Sequence, residues 1–183
     1  MKEANNLVRN FSVSKVIFNP DFYNDLELSL IKLLEQRKIK YYQNVKRVGL
    51  ENLQLSFLNN KLYNNENDNS NVLYFSYFNF QFLLMGDASK KRESDILVNY
   101  NLQNIDFLKV GHHGSNTSSS KEFISKISPK YSLISVGKDN RYGHPKDSVL
   151  DILKDTKIYR TDINGSIEIQ LKKNKYKIRT CSP

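Results

Sequence analysis

Three short loops hold the residues most able to do chemistry in this 183-residue chain, and all of its histidines lie in two of them. The loops are Leu84-Met85-Gly86-Asp87, Gly111-His112-His113-Gly114-Ser115 and Asn140-Arg141-Tyr142-Gly143-His144-Pro145. Each follows an apolar run that reads as a strand, at residues 80–85, 106–110 and 131–136. In an open α/β sheet, ligands sit at the carboxyl ends of the strands. Carboxylate and imidazole gathered there are the ligand set of a hydrolytic metal site.

Each residue also has a plainer reading. A carboxylate at Asp87 can bridge two divalent cations, or simply cap a helix. His112 and His113 stand between glycines with no core to serve. One imidazole can face a metal while its neighbour moves a proton or supports the first; an ordinary surface turn is the alternative. Ser115, Asn116 and residues 118–120 offer donors for a phosphate oxygen, although helix capping accounts for several of them. His144 immediately precedes Pro145, a residue suited to a first helical turn, and a helix N-terminus attracts anions. In the same loop Asn140 adds a polar side chain, Arg141 can clamp a phosphate, and Tyr142 can hydrogen-bond one or stack on a base.

The elements that must position these loops follow from pattern. Residues 4–18 read as a short helix running into a strand at 13–18. Asn19-Pro20-Asp21 is a turn opening a helix to about Gln36, with Phe22, Leu26, Leu30, Leu33 and Leu34 at helical spacing against a sheet. Short strands follow near 40–45 and 53–58. Residues 64–71 (NNENDNSN) contain nothing apolar and read as a flexible loop at a hairpin tip. Residues 72–77 and 80–85 pair as a hairpin around Phe78-Asn79, and 90–98 read as a helix. Ser119 with Glu122 forms a capping box for a helix over 120–127, stopped by Pro129. Pro145 opens a helix to about Leu153, and 166–171 with 175–178 form a hairpin with a basic tip.

Length and composition suit one soluble domain. The net charge of +9 favours a polyanionic partner such as nucleic acid, with plain solubility the alternative. Lys90-Lys91-Arg92 at a helix start opposes the helix dipole and hints at a nearby anion. Lys172, Lys173, Lys175 and Lys177 read as protection of an edge hairpin. The single cysteine, Cys181, has no internal partner. No apolar run approaches the ~20 residues that span a bilayer, and there is no signal-peptide core, so a soluble fragment is expected, compatible with a longer, membrane-associated parent.

With LLMGD (83–87), DFLKVGHHGSNTSSS (106–120), ISVGKDNRYGHP (134–145) and YRTDINGSIEI (159–169) in this order and spacing, the chain resembles the C-terminal part of the metallo-β-lactamase-fold domain of ComEC-type DNA-internalisation competence proteins. The resemblance is dense over 72–169; residues 1–71 match by layout only. It implies an α/β (α+β) fold, an αββα sandwich incomplete at its N-terminal side, within a single domain over 1–183. It also implies a two-metal hydrolase edge, with zinc or manganese as the ions and DNA as the substrate. Carried over by position, Asp87 resembles the bridging, catalytic carboxylate and His113 a metal ligand. His112 resembles a catalytic neighbour and His144 a catalytic histidine at the substrate side. Ser115, Asn140, Arg141 and Tyr142 are the substrate-binding candidates. Asp87 and His113 are expected to lie within roughly 8 Å of each other, since paired ions are only about 3.5–4 Å apart.

The family's main ligand loop, His-x-Asp-x-Asp-His, has no counterpart, because no histidine precedes His112. The expectation is therefore a metal-dependent phosphodiesterase portion that is inactive or very weak alone. Its two-ion site would be completed by the N-terminal remainder of the domain, and a membrane channel protein is a further expected partner. A non-catalytic nucleic-acid-binding module and a functionless gene remnant are the alternatives.

Overall fold

The computed structural model describes residues 2–18, 23–59 and 61–182, and by internal contacts they form two compact units, 1–46 and 47–183. The expected turn at Asn19-Pro20-Asp21, and Phe22 after it, lie outside the described residues.

In the first unit, α1 (Lys2–Asn10) leads to β1 (Lys15–Ile17), α2 (Asp25–Gln36) and β2 (Lys40–Tyr42), with β1 and β2 paired in parallel. Asn24 caps α2. Its side chain accepts the N–H groups of Leu26 and Glu27, and Glu27 accepts that of Asn24 in return. The apolar spacing of α2 puts Leu30, Leu33 and Leu34 into a core with Val8 and Phe18. Leu26, one of the expected core positions, is exposed.

The second unit is built on a seven-stranded mixed sheet. Its strands, in spatial and chain order, are β3 (Arg47–Leu50), β4 (Leu53–Phe57), β5 (Leu73–Tyr77), β6 (Phe80–Leu84), β7 (Phe107–Lys109), β8 (Tyr131–Ile134) and β9 (Lys157–Arg160). The pairs from β3 to β6 are antiparallel and those from β6 to β9 parallel. The mixed α/β class expected from the rhythm of strands and helices is the one adopted. Among the sheet strands, β3 matches none of the expected runs; RVGL is too short and polar to stand out.

Strand alternation sorts residues to two faces. Leu83, Leu108 and Ile134 join a core with Ile96 of α3 (Lys90–Asn99), with Phe123, Ile124 and Ile127 of α4 (Lys121–Ile127), and with Val149 of α5 (Asp147–Ile152). On the other face, registered positions on four strands stack their rings. Phe75 to Phe82 is 4.7 Å, Phe82 to Phe107 4.8 Å and Phe107 to Tyr131 5.2 Å between centroids. After α6 (Thr161–Asn164), the hairpin of β10 (Ser166–Lys172) and β11 (Lys175–Cys181) brings Tyr176 edge-on to Phe107 at 5.4 Å.

Four local expectations are corrected. The Asn-rich segment 64–71 is tied down rather than a free loop. Asp68 is 3% exposed and accepts the N–H of Ser89 at 3.0 Å. Asn69 bonds both the N–H and the C=O of Tyr63. Short polar side chains here satisfy backbone groups, which composition alone does not show. Arg92 is no part of a surface cluster: it is 0% exposed, donates to the carbonyls of Asp68 and Lys61, and lies 4.4 Å from the Tyr63 ring centroid. Finally, α4 is capped by Ser120, not Ser119, because Ser119 takes a left-handed φ of 58°. Likewise, α5 begins after Lys146, so Pro145 precedes the helix instead of opening it.

Candidate functional site

The three loops meet at the carboxyl ends of β6, β7 and β8, and backbone bonds fasten each to the next. The N–H of His112 donates to Gly86 O at 2.9 Å, and that of Lys146 to Gly114 O at 2.9 Å. Gly86, at φ 58°, passes so near Ser70 that a Cβ there would lie 2.9 Å from Ser70 Cβ. Gly114 is tighter: at φ 82°, an added Cβ would meet Pro145 Cβ at 2.5 Å. Between these glycines, His112 (φ 47°, ψ 44°) and His113 (φ 55°, ψ 22°) are both left-handed. The two imidazoles are consequently splayed, with ring centroids 6.5 Å apart.

His113 Nδ1 lies 2.6 Å from the carbonyl oxygen of Ser135. A carbonyl can only accept, so the proton sits on Nδ1 and the lone pair of the neutral ring is on Nε2. That lone pair faces Asp87, with Nε2 3.7 Å from Oδ1, well inside the expected separation. A cation or a proton between them would engage both electron-pair donors. Both side chains are open to solvent, at 48% and 44% exposure.

His112 Nδ1 lies 3.2 Å from Thr117 Oγ1, and its ring centroid is 6.1 Å from that of His144. His144 is half-buried with Nδ1 unpartnered among the described residues. Burial, then the charge of Lys146 and the nearby His112 and His113, holds its pKa below the ordinary histidine value. Tyr142, 59% exposed, stacks on His144 at 5.8 Å with an 18° tilt, and the Arg141 guanidinium lies 4.8 Å from the Tyr142 centroid.

The other candidates are occupied within their loops. Ser115 is buried, its hydroxyl 3.0 Å from Thr117 Oγ1. Asn140 clasps its loop, accepting the N–H of His144 at 2.9 Å and donating to His144 O at 2.7 Å. Three contributors do not emerge from the sequence. Glu93, 1% exposed, accepts the N–H of Ser120 at 2.8 Å and also that of Ser119. Thr161 bonds both backbone groups of Val136 at 2.7 Å. Lys109 shares its face with Phe107; burial lowers its pKa and the charge of Asp87 raises it in part. A cation at an inward position of an apolar strand is the signal for Lys109. Glu93 and Thr161 give none.

Among the described residues, no group of three or more His, Cys, Asp or Glu side chains is arranged to hold a metal ion. Asp87 and His113 have the chemistry and geometry for two ligand positions. A catalytic zinc site uses three protein ligands, so these residues fit part of a shell and not a whole one. No helix of the described residues is long and apolar enough to cross a membrane.

No family model matches the chain. It is 30% identical over 177 residues to ComE operon protein 3 of Bacillus subtilis, a match covering 93% of this chain and 23% of that protein. It is 39% identical over 93 residues to competence protein ComA of Neisseria gonorrhoeae, covering 49% of this chain and 13% of that protein. With recombination protein 2 of Haemophilus influenzae it shares 32% identity over 116 residues, covering 62% and 14%. The chain thus spans less than a quarter of the length of these relatives. A solved structure from Thermotoga maritima, of the metallo-β-lactamase superfamily, aligns over 81% of each chain at 13% identity with a TM-score of 0.41.

Proposed function

We propose that this chain, a stretch of the metallo-β-lactamase-like domain of a ComEC-type competence protein, supplies Asp87 and His113 to a divalent-metal shell that hydrolyses DNA phosphodiesters during uptake. The observation that carries the reading is the Asp87–His113 pair, 3.7 Å apart, with the His113 proton committed to Ser135 and its lone pair free. Zinc or manganese suits these ligands. Such an ion supplies an activated water and neutralises charge developing on the phosphoryl oxygens.

The chain's own residues then divide the remaining work. Ser135 fixes the His113 tautomer. His112, held by Thr117, is placed to exchange a proton at the rim. His144, whose pKa burial and its positive neighbours lower, favours the neutral ring and can accept. Arg141 and Tyr142 are the exposed groups at the substrate side. The other metal ligands come from beyond the described residues, from the remainder of the domain, and a membrane channel protein is the partner that would deliver the strand.

The test is hydrolysis of a chromogenic phosphodiester and of single-stranded DNA with Zn²⁺ or Mn²⁺. The isolated chain should work at or near background. Fusion to the preceding segment of the Bacillus subtilis relative should raise the rate, and Asp87→Ala or His113→Ala should abolish the gain. Strong metal-dependent cleavage by the isolated chain, indifferent to both substitutions, would overturn the proposal. The shortage of metal ligands favours a second reading, a non-catalytic nucleic-acid-binding module; a fusion that binds DNA but never gains activity would favour it.

A further inference from the structure

The β10–β11 hairpin has two unlike faces. Ile167, Ile169, Leu171, Tyr176 and Ile178 are half-buried, with Tyr176 against Phe80 at 5.1 Å and Tyr131 at 5.6 Å. The other face pairs Glu168 with Arg179, Gln170 with Lys177 and Lys172 with Lys175, all exposed. Like charges directly opposite on a ladder destabilise it. Protecting an edge from aggregation needs scattered lysines, not a facing pair. Along β11, Lys175, Lys177 and Arg179 recur at about 6.8 Å, two strand residues apart. That is twice the ~3.4 Å rise per phosphate along one nucleic-acid strand.

We propose that this face is a docking track for the phosphate backbone of a nucleic acid, separate from the hydrolytic edge. The proposal rests on the nucleic-acid half of the function proposed above and not on its catalytic half. Thr161 ties the chain just before the hairpin to Val136, next to Ser135, which holds His113. At the far end, Asn174 in the hairpin turn meets Asn79 of the β5–β6 turn at 3.4 Å. The track therefore starts at the end of the sheet that carries the site and runs to the opposite end. It carries no aromatic or aliphatic side chain among its described residues, so it has nothing to stack on bases or insert into lipid. Binding is sequence-independent and electrostatic.

The test measures anisotropy of labelled single- and double-stranded DNA bound to the whole chain across a salt series. Lys175→Gln/Lys177→Gln/Arg179→Gln should lower the slope of log affinity against log salt by about 0.7–0.9 for each phosphate that is no longer neutralised. A control triple, Lys121→Gln/Lys126→Gln/Lys154→Gln, should change it little. Glu168→Lys, which adds a cation to the same face, should steepen it, and this gain covers the case in which the triple variant misfolds. Equal losses from the two triples, or no response to Glu168→Lys, overturns the track. So does a hairpin effect confined to anionic phosphatidylglycerol vesicles. The salt slopes read the track and the cleavage rate of the fusion reads the hydrolytic edge, so failure of the one is distinguishable from failure of the other.

Discussion

Glu93 Oε2, on α3, accepts the backbone N–H of Ser120 at 2.8 Å, across 27 residues of chain. The companion oxygen takes the N–H of Ser119. One buried carboxylate thereby anchors the turn that continues from His112 and His113 into α4, where Ser118 also donates to Gly111 O at 2.8 Å.

Removing that carboxylate should loosen both the fold and the histidine loop. Glu93→Ala is expected to cost about 3 kcal/mol, the scale of two missing charge-assisted bonds with donors left behind. Burial, opposed by the bonds from Ser119 and Ser120, holds the Glu93 pKa above its ordinary value. A raised folded pKa gives a contribution complete below the unfolded pKa and lost as pH rises through the folded one. The stability of wild type relative to Glu93→Gln should accordingly decline as pH rises from about 4.3, the unperturbed glutamate value. Urea midpoints across pH measure this.

Arg92 should behave as core and not as surface charge. Its planar fork serves the carbonyls of Asp68 and Lys61 while stacking on Tyr63, and an ammonium cannot reproduce that. Arg92→Lys is expected to lose about 2 kcal/mol or more, whereas Lys90→Gln and Lys91→Gln stay within about 0.5 kcal/mol of wild type. Thermal unfolding distinguishes them, and equal effects at the three positions would show Arg92 to be surface after all.

Gly114 has room for neither a side chain nor a change of φ. Gly114→Ala puts a methyl into Pro145 at 2.5 Å and should destabilise by roughly 1–3 kcal/mol through overpacking with added left-handed strain. Histidine NMR signals should report the displacement, with those of His112 and His144 shifting most.

His144 should titrate below free histidine, because burial and its positive neighbours disfavour the imidazolium. A depressed folded pKa gives stability present above the unfolded value and lost as pH falls through the folded one. Lys146→Gln should move the titration upward. An NMR titration unmoved by that change would leave burial and the neighbouring His112 and His113 as the causes.

The parallel strands and the shared edge are legible in the sequence because apolar runs, turn residues and histidines alternate along the chain. The Phe78-Asn79 hairpin is legible too, and both turn residues do take positive φ, 48° and 68°. The clasp at 64–71 is hidden, since a row of asparagines reads alike whether its amides face water or backbone. The buried state of Arg92 is hidden for a related reason: its partners are main-chain carbonyls 24 and 31 residues away, which no local pattern encodes. Ser119 against Ser120 turns on a single backbone dihedral.

The successive left-handed residues at 112 and 113 set folding and chemistry at odds. Such a conformation costs a residue with a Cβ about 1–2 kcal/mol, and glycine would take the same path without that strain. At 112 the imidazole meets the fold through an exposed contact, Nδ1 to Thr117 Oγ1 at 3.2 Å. A population of variants enriched for heat resistance alone should drift toward glycine at 112. One enriched for the reaction should hold histidine there and accept a lower melting temperature, so the dipeptide separates the two histories.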